Sequence, residues 1–144
     1  MTDELYARLN APKDAKCRIE TNQEKIKELH IMMLPSGIRY DKDYVQTSPE
    51  DPMLKFAEKL ERLEKEKVEL ERRYIEAYED VEALSKKLNN ADQEKIIVWR
   101  HLLCKNNRDY ANKIDRAESS VNRLYGDAIK ALEVIIRKDD KKIQ

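Results

Sequence analysis

The sequence predicts an all-α protein, an N-terminal helical hairpin with a long coiled-coil helix followed by a compact C-terminal three-helix unit. Three observations carry that reading. Charged residues make up 40% of the 144 and aromatics 6%, with two Gly and four Pro, a balance that suits long helices better than sheets. Between Met53 and Leu88 the apolar positions recur in alternating steps of three and four. After "LNNADQEK" that pattern gives way to shorter segments separated by turn residues.

Taken in order, residues 3–9 are expected to form a short helix interrupted at "NAP", and a longer one runs from about Asp14 to Leu34. Ile19, Ile26, Leu29 and Met33 lie 7, 3 and 4 apart, on one stripe, and Pro35 and Gly37 end the helix. A loop follows, with Ile38, Tyr40, Tyr44 and Val45 as anchors. Ser48 can cap the next helix, Pro49 fits its first position, and Glu50 and Asp51 favour the positive end of its dipole.

That helix carries a seam of Met53, Phe56, Leu60, Leu63, Lys67 and Leu70, continued by Tyr74, Ala77, Val81, Leu84 and Leu88. Lys67 interrupts it and can set register or partner number. Such a seam rises ~50 Å at ~1.5 Å per residue, and the 14–34 helix folded back on it covers only part of that length. A second copy of the chain is expected on the remainder, giving a homodimer or higher oligomer; the alternative is an intramolecular bundle completed by the C-terminal helices. Carboxylates over 58–82 alternate with Lys and Arg at helical spacing, which predicts pairing within the helix rather than a metal site.

Beyond the seam, Asn89 or Asn90 can cap a helix over about 91–104 that carries Ile96, Ile97, Trp99, Leu102 and Leu103. "KNN" breaks it, a short helix spans 107–114, and a long one runs from about 117 to 137. The expected organisation is a hairpin and coiled-coil region over 1–89, a separate domain over 90–138, and a frayed tail over 139–144.

Net charge is zero, but its distribution is uneven. Residues 1–95 hold 18 Lys and Arg against 22 Asp and Glu, whereas 96–138 hold 9 against 5. The basic excess therefore sits in the C-terminal domain, where it can favour nucleic acid. No apolar run approaches the ~20 residues of a membrane span, and the N-terminus lacks a signal peptide's order, so a cytoplasmic location is expected. Cys17 and Cys104 stand alone, with no zinc or disulfide spacing, and are read as ordinary thiols on helices. Neither His30 nor His101 has a catalytic neighbour at a suitable spacing, and no Gly-rich loop is present. No enzyme activity, cofactor or metal is expected.

The segment "NRDYANKIDRAESSVNRLYGDAIKAL" meets the steric demands of a helix-turn-helix. Ala111 is small where a second helix must cross closely, flanked by Tyr110 and Ile114. Val121 and Leu124 lie ten and thirteen residues further on, and Ala128 and Leu132 continue their face. Asp115 stands where the chain must reverse, a place usually filled by glycine. It can adopt positive φ there, or it can cap the following helix in a box with Glu118, but not both. Facing outward are Glu118, Ser119, Ser120, Asn122 and Arg123, which suit base edges; Arg108, Lys113 and Arg116 suit backbone phosphates. The alternative is a three-helix cap with no ligand.

The chain resembles phage-encoded transcriptional regulators of the RinA and ArpU type from Gram-positive bacteria. An Arg-Tyr-Leu typical of the family is matched by Arg100-His101-Leu102, and a Glu-Ile-Ala by Asp109-Tyr110-Ala111. A Val-x-Arg-Leu-His is matched by Val121-Asn122-Arg123-Leu124-Tyr125, and "DYVQTSPEDPM" leads into the long charged helix as in relatives. The family's Gly-x-Ser turn is Asp115-Arg116-Ala117 here, which lacks the serine cap, and its aromatic is His101. The resemblance implies a domain akin to the part of sigma factors that reads the upstream promoter element. It also implies a role in switching on late or packaging genes.

The expected function is therefore sequence-specific binding of double-stranded DNA by a transcriptional regulator, an activator, paired through its coiled coil. Other readings are a sigma-like adaptor acting mainly through host RNA polymerase, a small-terminase-like packaging protein, and a plain coiled-coil interaction protein.

Overall fold

A computed structural model describes residues 2–34 and 52–143, all of whose regular structure is helical. Helix α1 covers Asp3–Met32, α2 Pro52–Lys86, α3 Ala91–Ile97, α4 Asn107–Ile114 and α5 Glu118–Ile143. A π-helical turn over Val98–Leu102 continues α3. No helix among the described residues is long and apolar enough to cross a membrane. The expected cap of α2 at Ser48 and Pro49 and the loop anchors between Pro35 and Asp51 lie outside the described residues.

Two helices are longer than their sequence predicts. The break expected at "NAP" is absent, because α1 runs through Pro12. An interior proline removes a hydrogen bond and costs about 3 kcal/mol. Pro12 is itself fully buried, in helical register with the fully buried Leu5 and Leu9, and that burial offsets the cost. At the other end, α5 continues to Ile143 instead of fraying after residue 137. Ile136 is buried, and the Asp139 carboxylate accepts from Lys87 Nζ at 2.8 Å, so the helix has tertiary anchors where the sequence shows only charge.

The chain packs as two compact units whose limits differ from the division expected at residue 90. One comprises Met1–Lys16 with Arg73–Gln144, the other Cys17–Arg72. In the first, Leu5 and Leu9 of α1 and Val81, Leu84 and Leu88 at the end of the α2 seam share one core with the helices that follow. From those helices come Ile96, Ile97, Leu102, Ala128 and Leu132. The physical reason is size, since α3, α4 and α5 alone span too few residues to bury a large apolar core. Arg8 adds a two-pronged hydrogen bond to Asp80, Nε–Oδ2 3.0 Å and Nη2–Oδ1 2.6 Å.

In the second unit Leu29, Leu63 and Leu70 are buried, and Asn22 joins the two helices by donating from Nδ2 to the Leu63 carbonyl at 3.1 Å. Asn22 is 3% exposed and falls on the stripe between Ile19 and Ile26, a polar residue inside an apolar pattern. Among the α2 seam positions only Met53 is exposed, so one chain covers most of the seam expected to await a second copy. Met53 apart, the large apolar residues that α2 leaves open lie off the seam: Leu54, Val68 and Ile75. Carboxylates of α2 pair along the helix as their spacing predicts, Glu61 with Lys65, Glu69 with Arg72 and Glu82 with Lys86.

Candidate nucleic-acid interface

The turn between α4 and α5 decides between the two readings of Asp115. Its backbone is left-handed, φ 55° and ψ 48°. The Asp115 N–H donates to the Asn112 carbonyl at 3.4 Å and the Arg116 N–H to the Ala111 carbonyl at 3.0 Å, the paired bonds of a Schellman turn. Aspartate thus fills the place glycine usually takes, and the capping box with Glu118 is not formed. Ala117 precedes α5 instead, its carbonyl accepting from the Ser120 and Val121 N–H groups at 3.0 and 3.2 Å. An alanine has no side-chain oxygen to cap the first amides of α5.

Beneath this turn Tyr110, Ala111 and Val121 are buried, with Ile114 and Leu124 half-buried, so the close crossing at the alanine is present. All eight predicted contact residues, Arg108, Lys113 and Arg116 together with Glu118, Ser119, Ser120, Asn122 and Arg123, are exposed. Ser119 and Arg123 are one helical turn apart, as are Glu118 and Asn122, which places them as neighbouring pairs on the first turns of α5. Two residues are less free than expected. Asn122 Oδ1 accepts from Asn107 Nδ2 at 2.7 Å, which occupies the oxygen half of the amide meant for adenine. Lys113 Nζ lies 4.9 Å from the centre of the Trp99 ring, a cation–π contact.

Several contacts that organise this unit carried no sequence signal. Asn106 caps α4 by accepting the Asp109 N–H at 2.7 Å, and its carbonyl accepts from Trp99 Nε1 at 3.0 Å. Trp99 also packs against Tyr110, ring centres 5.5 Å apart. The break expected from "KNN" falls one residue earlier, at Cys104, whose φ is 57°. Both cysteines are exposed free thiols, and Cys104 sits in this turn rather than on a helix. The cap predicted at Asn89 or Asn90 is Asn90, which accepts from the Asp92 and Gln93 N–H groups.

His101, 7% exposed, is hydrogen-bonded through Nε2 to the Tyr125 hydroxyl at 2.7 Å. Burial, then the Arg100 charge, push its pKa down to about 4, against a backbone hydrogen bond at Leu9 that acts the other way. The ring is neutral at pH 7 and packs as part of the core. Burial also raises the Tyr125 phenol, whose ring carries the Arg100 guanidinium 4.7 Å above its centre.

What this arrangement offers is a short helix, a main-chain turn and an exposed start of α5 that carries Glu118, two serines, Asn122 and Arg123, set beside an aromatic base. No protein-family model matches the chain, and no curated protein or solved structure matches it either.

Proposed function

We propose that the chain is a non-enzymatic, sequence-specific DNA-binding regulator of transcription that reads duplex DNA with the start of α5. The observation that carries the reading is the left-handed Schellman turn at Asp115, with Ala111 and Val121 buried beneath it and eight candidate contact residues exposed around it. A helix held this way projects its first turns outward, the geometry by which such helices enter the major groove. Arg123 is assigned to a base, guanine being the usual partner of arginine, and Arg108 and Arg116 to phosphates. The resemblance to RinA and ArpU regulators extends this to activation of phage late or packaging genes. Pairing of two copies would use apolar residues of α2 off the seam, among them Leu54 and Val68.

The test is selection of bound sequences from random duplexes by the full chain at a stated salt concentration. Enrichment of a defined site is expected, and Arg123→Ala should weaken its binding by ~1–3 kcal/mol and relax preference at one position. Full affinity and unchanged preference in that variant would remove α5 from the reading role.

One observation favours the adaptor reading as a second choice. A cavity of about 590 Å³ with apolar walls that include Val98, Leu103, Ile114 and Leu124 lies beside the turn, edged by Lys95, Lys113 and Arg116 and by Asp92 and Glu94. An apolar groove with charges of both signs at its rim suits an amphipathic helix of a protein such as RNA polymerase better than it suits DNA. In that case DNA binding appears only when polymerase is present.

A further inference from the structure

The unit that carries α4 and α5 has a second concentration of positive charge, built on residues other than those assigned to DNA. A cavity of about 420 Å³ opens between the first part of α1, the π-helical turn and α5. Lys13, Arg100 and Lys105 line it, and no carboxylate does. None of these three makes an ion pair with a carboxylate of the described residues.

Two of the cations are held by aromatic faces instead. Arg100 lies 4.7 Å from the centre of the Tyr125 ring, and Lys105 Nζ 5.1 Å from that of Trp99. A ring face positions a cation without engaging its N–H donors, and the bond Arg100 gives the Tyr125 hydroxyl leaves most of its guanidinium donors open, so both cations remain able to bind an anion. Asn10 and Asn106 add side-chain amides to the wall, and only the oxygen of Asn106 is committed, to the Asp109 N–H. Arg100 and Lys13 also both act to keep His101, on the same wall, unprotonated.

We propose that this cavity binds a phosphate group. Three cations with amide donors among them match a doubly charged group bearing several acceptor oxygens better than they match a single carboxylate. The phosphate has two possible sources. Tyr125 follows Asn122 by three residues and adjoins it on the helix surface, so one source is the backbone of a duplex seated on α5. That source rests on the DNA reading above. The other is a free phosphate ester, for which Tyr6, 60% exposed on the wall, supplies a stacking surface for a base.

Both sources are tested with the full chain and the Lys13→Gln/Lys105→Gln double variant. Both side chains are exposed, so the variant should fold, and circular dichroism verifies it. Calorimetric titration with inorganic phosphate and with adenosine diphosphate, at constant ionic strength, gives saturable binding if the ligand is free, weakened at least tenfold in the variant. If the source is DNA, phosphate does not saturate, and the slope of log affinity against log salt becomes shallower by about one per lysine, with unchanged sequence preference. Saturation that the variant retains overturns the proposal, as does an unchanged salt slope without saturation; that last result leaves the DNA reading standing. If the chain binds no DNA, the phosphate titration alone decides, and failure to saturate overturns both readings.

Discussion

Two turns of the C-terminal helices place a residue other than glycine in the left-handed region, Cys104 before α4 and Asp115 before α5, and they are built in opposite ways. Around Cys104 side chains tie the chain down. Asn106 caps α4, Trp99 reaches the Asn106 carbonyl, Lys105 lies on Trp99, and His101 just upstream bonds Tyr125. Around Asp115 the main chain does the work alone, and Asp115, Arg116 and Ala117 are all exposed. The first turn is a joint that fixes α4 to the core. The second leaves the start of α5 without a side-chain cap from Ala117, so its amides are left to solvent or a partner. That asymmetry is what a surface meant to meet a ligand requires, since groups already satisfied from within have nothing to offer.

The largest effect that tests this contrast is one of pH. An unfolded imidazole takes up its proton near pH 6.5, whereas folded His101 does so only near 4. Between those values the unfolded chain binds more protons, so stability is fully present above pH 6.5 and is lost as pH falls towards 4. The loss is on the order of 3 kcal/mol. Urea unfolding of the wild type and of His101→Gln from pH 7 to 4.5 measures it. The variant should lose most of the slope across this window, and an equal slope in both chains would show that His101 is not held neutral by its surroundings. Next in size is Asn106→Ala, expected to cost about 1–2 kcal/mol through loss of the α4 cap, with α4 amides exchanging faster than those of α5.

Local signals in the sequence survived the comparison with the structure where the cause is local. The α4 limits at 107 and 114, the Asn90 cap and the small residue Ala111 under the crossing all follow from neighbours within a few positions. What was not legible depends on partners far along the chain. Leu5 and Leu9 look like part of a short separate helix until they meet a core that begins again at Val81. Pro12 reads as a break because the burial that outweighs it is invisible in "NAP". Asn22 reads as a gap in a stripe, yet it is buried because the Leu63 carbonyl, 41 positions away, receives its amide. Asn107 lay inside the segment singled out for recognition, and nothing in its neighbours reveals that it would hold Asn122. The face of α5 was readable from spacing; the ties on that face were not.

Substitutions to glycine compare the two turns directly. Left-handed backbone costs an ordinary residue roughly 1–2 kcal/mol, and aspartate somewhat less because its short side chain can bond locally. Cys104→Gly should therefore stabilise by about 1 kcal/mol and Asp115→Gly by less, as seen in the urea midpoint. No gain at either position would mean that neither turn keeps its left-handed residue in solution.

The smallest expected effect concerns the open end itself. Ala117→Ser adds the oxygen that α5 lacks, and serine at such a position is worth about 0.5–1 kcal/mol over alanine. If the amides of Glu118 and Ser119 are only solvated, the gain appears as a higher urea midpoint and DNA affinity is unchanged. If a DNA phosphate receives those amides, the serine competes with it, and the same variant is more stable yet binds DNA more weakly. Measured together on one protein, the two quantities distinguish an end left open for a ligand from one that is merely uncapped. A stability gain with no loss of affinity would place the phosphate contacts on the side chains of Arg108 and Arg116, not on the helix end.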